Sequence, residues 1–164
     1  MLLLISLFTF INTTDTFKWK ANPQGQELAN MINRLRQRNN LNTLEVVDSL
    51  NYIGSSHSAD IHARDRDDGC SFSSWSYGSR EWSGGCITDG DTSSPVMHWK
   101  PKELIRYPYK GYEIIHVHKE DFCDYECAYF YFLLHQSPML LNPRWKRMGV
   151  CIFQRVASVW FTEK

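Results

Sequence analysis

The chain has 164 residues, of which 43% are hydrophobic and 14% aromatic, and its formal net charge is zero. This length and composition suit one well-packed domain and are too small for two ordinary ones. The balanced charge excludes a general electrostatic attraction to nucleic acid or to an anionic membrane surface, so neither is an expected partner.

An uncharged apolar run begins directly after Met1 and covers residues 2–11. It has the length of the hydrophobic region of a signal peptide and about half the length that a membrane-spanning helix needs. We therefore predict a signal peptide over residues 1–16, with an approximate end, followed by a single secreted domain over residues 17–164 without a transmembrane segment. The alternative is a buried N-terminal strand.

Two helices are predicted in the first third of the chain. The first is indicated by apolar residues at helical spacing: Leu28, Met31, Ile32 and Leu35. The second covers about residues 48–64, with Asp48 or Ser49 as its N-cap, and carries His57 on its apolar stripe. We interpret His57 as a core histidine bonded to a carbonyl, because a lone imidazole needs partners to hold a metal.

Residues 65–108 lose this periodicity and interleave glycines with aromatic side chains, which predicts a long irregular loop. Its candidate ligand contacts are three tryptophans: Trp75, Trp82 and Trp99. Exposed aromatics in a secreted loop suit sugars, sterols or lipids, whereas packing around a cysteine bracket is the alternative that we favour.

Five cysteines in an exported chain indicate disulfides, and the odd count leaves at least one thiol unpaired or intermolecular. We favour a bond between Cys70 and Cys86, because closing a loop of about fifteen residues contributes on the order of 3 kcal/mol. Cys123 and Cys127 lie one helical turn apart, so one of them could instead reach Cys151. Zinc ligation by Cys123 and Cys127 is a further alternative, although no CxxC pair supports it.

The second half of the chain predicts a strand, a helix and a hairpin. Residues 111–118 alternate as a strand with Glu113 on one face and His116 and His118 on the other. A strongly aromatic helix runs from Asp121, its predicted N-cap, to about Gln136, and residues 148–161 read as two antiparallel strands. The expected fold is an α+β domain whose antiparallel sheet is flanked by helices and closed by a β-hairpin.

Four stretches in this order resemble one known secreted family. They are residues 57–61 (HSADI), 111–114 (GYEI), 137–143 (SPMLLNP) and 148–152 (MGVCI). They resemble, over about residues 25–161, a divergent form of the CAP superfamily of cysteine-rich secretory, antigen-five and pathogenesis-related proteins. The resemblance implies an αβα sandwich with a central cleft in which two histidines and two acids can hold a divalent metal.

The chain departs from that family at the metal positions. Ser73 stands where one family histidine is expected, Met139 and Leu140 stand where the other is expected, and Glu113 alone matches a cleft acid. Zinc prefers nitrogen and sulfur ligands in a tetrahedral arrangement, so this set predicts little metal affinity and no cofactor.

We therefore expect a secreted, non-catalytic CAP-like domain that binds through the aromatic loop, with Ser73 and Glu113 beside the three tryptophans. The resemblance implies a lipid or sterol ligand, while a glycan or an extracellular protein suits the aromatics equally well. The alternative function is a metal-dependent hydrolase with Glu113 as general base and a zinc site rebuilt from His98, His116 and His118. Two features oppose this alternative. Glu113 is on the opposite face of the strand from His116 and His118, and the chain has no HExxH motif.

Overall fold

The computed structural model describes residues 21–64, 69–88, 95–120 and 122–164, so the predicted signal peptide and the predicted N-cap Asp121 lie outside the described residues. The elements are α1 (Pro23–Arg38), β1 (Glu45–Val46), α2 (Asp48–Ala63), α3 (Pro95–Ile105), β2 (Tyr112–Val117), α4 (Tyr125–His135), α5 (Ser137–Leu140), β3 (Arg147–Phe153) and β4 (Val156–Thr162). Within this described part, no helix combines the length and hydrophobicity that crossing a membrane requires.

The sheet has four strands in the order β1-β3-β4-β2. β3 and β4 form the predicted antiparallel hairpin, and β2 pairs antiparallel with β4. The two-residue strand β1, which the sequence did not reveal, pairs parallel with β3 and makes the sheet mixed. The α+β architecture is thus confirmed, with one short parallel edge added.

The alternation of side chains along the hairpin divides the interior into two cores. Val150 and Val159 point into a core that is formed with α1 and α4. Trp160 belongs to a second core with Leu50 and Ile53 of α2. Because neighbouring residues of a strand face opposite sides, helices cover both faces of the sheet and the domain is an αβα sandwich.

The predicted first helix forms with Leu28 and Ile32 buried and with Met31 and Leu35 partly buried, but one polar residue behaves differently. The Asn22 side chain caps α1 by accepting from the Gly25 amide at 2.8 Å. Arg36 is 1% exposed, and its guanidinium donates to carbonyl oxygens of the segment that includes Leu140 and Asn142. Burial lowers the pKa of Arg36, and the carbonyls satisfy its donors in the interior.

The predicted start of α2 at Asp48 is confirmed, but its predicted N-cap and the predicted start of the aromatic helix are wrong. α2 has Val47 at its N-cap position with no side-chain cap, so neither Asp48 nor Ser49 fills that role. α4 begins at Tyr125 rather than at residue 121, and its N-cap is Asp124, whose carboxylate accepts from the Cys127 amide at 2.8 Å. Asp121 and Asp124 both satisfy the sequence rule for a cap, and the sequence alone does not select between them.

The long loop predicted over residues 65–108 is wrong in its last third, where α3 forms. Over residues 97–105 of this helix, the buried positions are Met97, Lys100 and Pro101, which recur at helical spacing. A lysine and a proline occupy two of the three buried positions, so the apolar periodicity that reveals most helices is missing. Contacts with α2 and β2 stabilise a segment with weak intrinsic helix propensity.

α2 lies unusually close to the hairpin at two glycines. A Cβ atom at Gly149 of β3 would overlap the backbone and side chain of Leu50 in α2. At Gly54 of α2 a Cβ atom would lie 3.2 Å from the Cys151 Cβ and 3.3 Å from the Ser158 hydroxyl. The absence of a side chain at Gly149 is therefore a condition for this helix position.

We predict that Gly149→Ala lowers the free energy of unfolding by about 3 kcal/mol or more, because the new methyl group meets backbone that cannot move aside cheaply. Gly54→Ala is the matched control. At Gly54 the new methyl group makes close contacts without overlapping its neighbours. The gain in helix propensity of about 1 kcal/mol offsets the cost of those contacts. Denaturant unfolding of both variants checks the prediction, and equal losses would contradict the proposed close approach at Gly149.

Candidate functional site

A buried polar network joins α2 to the sheet. His57 Nδ1 lies 2.7 Å from Glu113 Oε2, and both side chains are fully buried. The Ser158 hydroxyl donates to the other carboxylate oxygen of Glu113 at 2.5 Å. His57 Nε2 lies 2.9 Å from the carbonyl oxygen of Ser74. We call these groups the His57–Glu113–Ser158 network.

The hydrogen bonds define where the protons of this network lie. A carbonyl oxygen only accepts, so His57 Nε2 must carry a proton and donate it to Ser74. One further proton lies between His57 Nδ1 and the Glu113 carboxylate, and the pair is neutral overall whichever atom holds it. A neutral pair avoids the large penalty of a single buried charge. Both nitrogens of His57 are thereby occupied.

The aromatic loop packs onto this network. Trp75 is 1% exposed and its ring stacks on His57 with centroids 4.2 Å apart. Trp82 contacts Trp75 edge-on at 5.2 Å, and the Lys100 ammonium lies 5.0 Å from the Trp75 ring centroid. Trp75 therefore takes the packing role that was the favoured alternative for the loop aromatics.

The predicted disulfide between Cys70 and Cys86 is confirmed, with its Cα atoms 5.3 Å apart. It brackets a tight turn region in which Trp75 pairs with Gly85 through backbone hydrogen bonds. Ser73, the residue at an expected histidine position, is half-buried in this region. The Cys70–Cys86 disulfide thus helps to hold Trp75 against His57.

The structure does not bring Glu113 together with the other predicted metal ligands. Glu113 faces α2, whereas His116 lies on the opposite side of β2 and stacks on Tyr131 of α4 at 3.9 Å. His118 lies near His116, with ring centroids 5.7 Å apart. His98 of α3 instead donates through Nδ1 to the Gly111 carbonyl at 3.0 Å. Glu113 and His116 thus lie on opposite faces of the strand, as the sequence predicted.

Three cysteines stay free: Cys123, Cys127 and Cys151. Cys151 faces α2 beside Gly54, whereas Cys127 belongs to α4 on the other side of the sheet. A disulfide between Cys151 and either Cys123 or Cys127, one of the sequence alternatives, therefore does not form. Burial raises the pKa of the Cys151 thiol, which keeps it protonated and unreactive.

An open groove with a volume of about 310 Å³ lies beside the start of β2. Its lining is Tyr109, Lys110, Tyr112, Arg144, Glu163 and Lys164. Trp99 adjoins it, since the Lys110 ammonium lies 5.4 Å from the Trp99 ring centroid, and Trp99 is 42% exposed. We call this surface the aromatic–basic groove.

Sequence reasoning found Trp99 but missed the remainder of the groove. The lining residues come from two separate parts of the chain, residues 109–112 and 144–164. Pairing of β2 with β4 brings these parts together, with Tyr112 opposite Phe161. No local motif signals a surface that only this pairing assembles.

The sandwich and its closing hairpin are similar to the fold of solved SCP-domain and cysteine-rich secretory proteins, the fold that the sequence resemblance predicted. No protein-family profile and no curated protein matches this sequence. The comparison with solved structures therefore carries the assignment, and it concerns the fold alone.

Two similar structures are a cysteine-rich secretory protein from Staphylococcus aureus (TM-score 0.59, 15% identity over 86% of this chain) and an extracellular SCP-domain protein from Bacillus anthracis (0.60, 19%, 93%). A third is an outer surface protein from Borrelia burgdorferi (0.58, 16%, 85%). The chain spans 38% and 44% of the first two proteins and 91% of the third.

We predict that Glu113→Ala lowers the free energy of unfolding by about 3–5 kcal/mol, because it removes the partner of His57 Nδ1 and of the Ser158 hydroxyl in the interior. Glu113→Gln should lose much less, since its amide can donate to a neutral His57 and accept from Ser158. Glu120→Ala, which removes an exposed carboxylate, serves as the control. Equal stability of Glu113→Ala and Glu120→Ala in denaturant unfolding would contradict a structural role for the network.

Proposed function

We propose that this chain is a secreted CAP-like extracellular domain that binds an acidic glycan in the aromatic–basic groove and does not catalyse a reaction. One contrast carries the proposal. The Glu113 carboxylate is enclosed by protein, whereas two tyrosines and three basic side chains line an open groove.

The family's metal-dependent chemistry does not fit the residues present. Glu113 is fully buried and both of its oxygens already accept hydrogen bonds, so it offers no open coordination position. Ser73, Met139 and Leu140, at the expected histidine positions, supply no nitrogen or thiolate ligand. These residues therefore do not support a metal-dependent catalytic step in this cleft.

The alternative hydrolase with a relocated site is also disfavoured. It requires Glu113 as a general base within reach of metal-bound water and of histidine ligands. Glu113 contacts α2, whereas His116 contacts α4 on the opposite side of the sheet. Glu113 and His116 could share a metal site only if strand β2 had a different structure.

The chemistry of the groove favours an acidic glycan over an apolar ligand. Aromatic rings such as Tyr109 give a flat face for the C–H side of a sugar ring. Lys110, Arg144 and Lys164 outnumber the single acid Glu163, which pairs with Arg144. The remaining positive charge suits carboxylate or sulfate groups, whereas a sterol would need a deeper and more apolar cavity.

A secreted location is supported by three observations. An apolar signal-like run begins the chain, and a disulfide is present, which is typical of oxidising compartments. Two structural neighbours are described as secretory or extracellular and a third as an outer surface protein.

We predict that a sulfated oligosaccharide binds at least about tenfold more tightly than its neutral counterpart, a difference of about 1.4 kcal/mol, and that added salt weakens the binding. Trp99→Ala and Tyr109→Ala should each weaken it by a similar factor without lowering Tm, because both side chains are substantially exposed. Calorimetric titration measures the affinity.

Phe130→Ala is the matched control, because Phe130 is 56% exposed on α4 and does not line the groove. An equal loss of binding in Phe130→Ala would overturn the groove assignment. Absence of binding to any sulfated or carboxylated oligosaccharide would overturn the proposed ligand class.

A further inference from the structure

Three side chains with nitrogen and sulfur donors converge on the α4 side of the sheet, away from both the groove and the His57–Glu113–Ser158 network. The Sγ atoms of Cys123 and Cys127 lie 3.1 Å apart, and Cys127 Sγ lies 3.8 Å from His116 Nε2. All three donor atoms lie within 4.8 Å of one another. No other such group of histidine, cysteine and acidic donors occurs within residues 21–64, 69–88, 95–120 and 122–164.

Three different elements of the local structure position these donors. His116 lies on β2, Cys123 lies just before α4, and Cys127 is in the first turn of that helix. The Asp124 cap fixes the helix start by accepting from the Cys127 amide at 2.8 Å. The start of a helix also favours thiolates, because its amide dipoles point toward them.

Two of the three donor separations come close to those of a tetrahedral zinc site after a small adjustment. With Zn–S near 2.3 Å and Zn–N near 2.05 Å, tetrahedral angles place two sulfurs about 3.8 Å apart and a sulfur and a nitrogen about 3.6 Å apart. The observed sulfur–nitrogen distance of 3.8 Å is already close to this value. The sulfurs need to separate by about 0.7 Å from their 3.1 Å spacing.

We propose that His116, Cys123 and Cys127 bind a zinc-like divalent cation, with the fourth position left to water or another small ligand. Two thiolates and one imidazole are donors that zinc prefers, and three protein ligands are enough for tight binding. The site shares no residue with the aromatic–basic groove, so it stands whether or not the glycan proposal holds.

Metal binding at this site has to displace protons from the two thiols. Burial, together with the nearby His118 and His135, lowers the pKa of His116 to about 4, so its ring is neutral at neutral pH. Burial, and then the neighbouring Cys127 thiol, raises the pKa of Cys123. A bound divalent cation stabilises the thiolate form that burial disfavours. Its binding releases the thiol protons to solvent.

The competing chemistry is a disulfide. An external oxidant that accepts two electrons and the two thiol protons would join Cys123 to Cys127 and remove two of the three ligands. Thiol counting in denaturant separates the two states. With the site reduced, the three free cysteines react, whereas after oxidation only Cys151 reacts.

The first experiment is a Co²⁺ titration of the full chain, purified without metal under anaerobic conditions with the Cys70–Cys86 bond intact. We expect stoichiometric binding, visible bands of tetrahedral Co²⁺, near-ultraviolet thiolate charge transfer, and displacement of Co²⁺ by Zn²⁺. Absence of stoichiometric binding, binding without charge transfer, or a Cys123–Cys127 disulfide in the anaerobically prepared protein would each overturn the proposal.

Variants test the ligand set. Cys127→Ser and His116→Gln should weaken Co²⁺ binding by more than about a hundredfold, since even loss of a group that only orients a ligand costs roughly 10- to 100-fold. Cys151→Ser and His118→Gln are matched controls and should keep the affinity and the spectrum. Metal-free circular dichroism confirms that each variant folds. Unchanged binding in Cys127→Ser would show that the metal lies elsewhere.

Discussion

The close contact between α2 and the β3–β4 hairpin is the constraint on which the other features depend. Gly149 has no side chain, which lets the Leu50 turn of α2 lie directly on β3. The Asn51 side chain, one residue further on, accepts from the Val150 amide at 2.8 Å, beyond the end of the short strand β1. The same approach puts His57, two turns along α2, within 2.7 Å of Glu113. A helix held farther away would leave that carboxylate without its partner.

The alternation of β2 separates two kinds of chemistry. Glu113 enters the α2 core and His116 the α4 side, three positions apart and on opposite faces. On the α2 side, the loop tied by the disulfide and the Trp75 ring cover the network and exclude solvent. On the α4 side, Cys127 is only half-buried, so small solutes can approach its donors. Burial therefore makes one cluster part of the core, whereas the other has one partly exposed donor, Cys127, beside the buried His116 and Cys123.

Sequence patterns predicted those parts of the fold in which burial follows an apolar period. The Leu28 to Leu35 stripe, the closing hairpin and the opposite faces of Glu113 and His116 are of this kind. Patterns failed where a polar residue is buried, as with Arg36 in α1 and Lys100 in α3, whose donors are satisfied by distant carbonyls. The convergence of His116 with the two cysteines could not be predicted from the sequence either, because it depends on α4 starting at Tyr125 rather than near residue 121.

The environments of two histidines explain why the proposed metal site does not include the histidine of the family-like motif. His57 belongs to the motif that resembles the secreted family, yet Glu113 and the Ser74 carbonyl engage both of its nitrogens, so it has no lone pair left for a metal. His116 lies outside every such motif, and its Nε2 points at Cys127 Sγ. A histidine coordinates only through a nitrogen that no other partner holds. Availability of the nitrogen, more than membership of a motif, therefore decides which histidine of this fold can hold a cation.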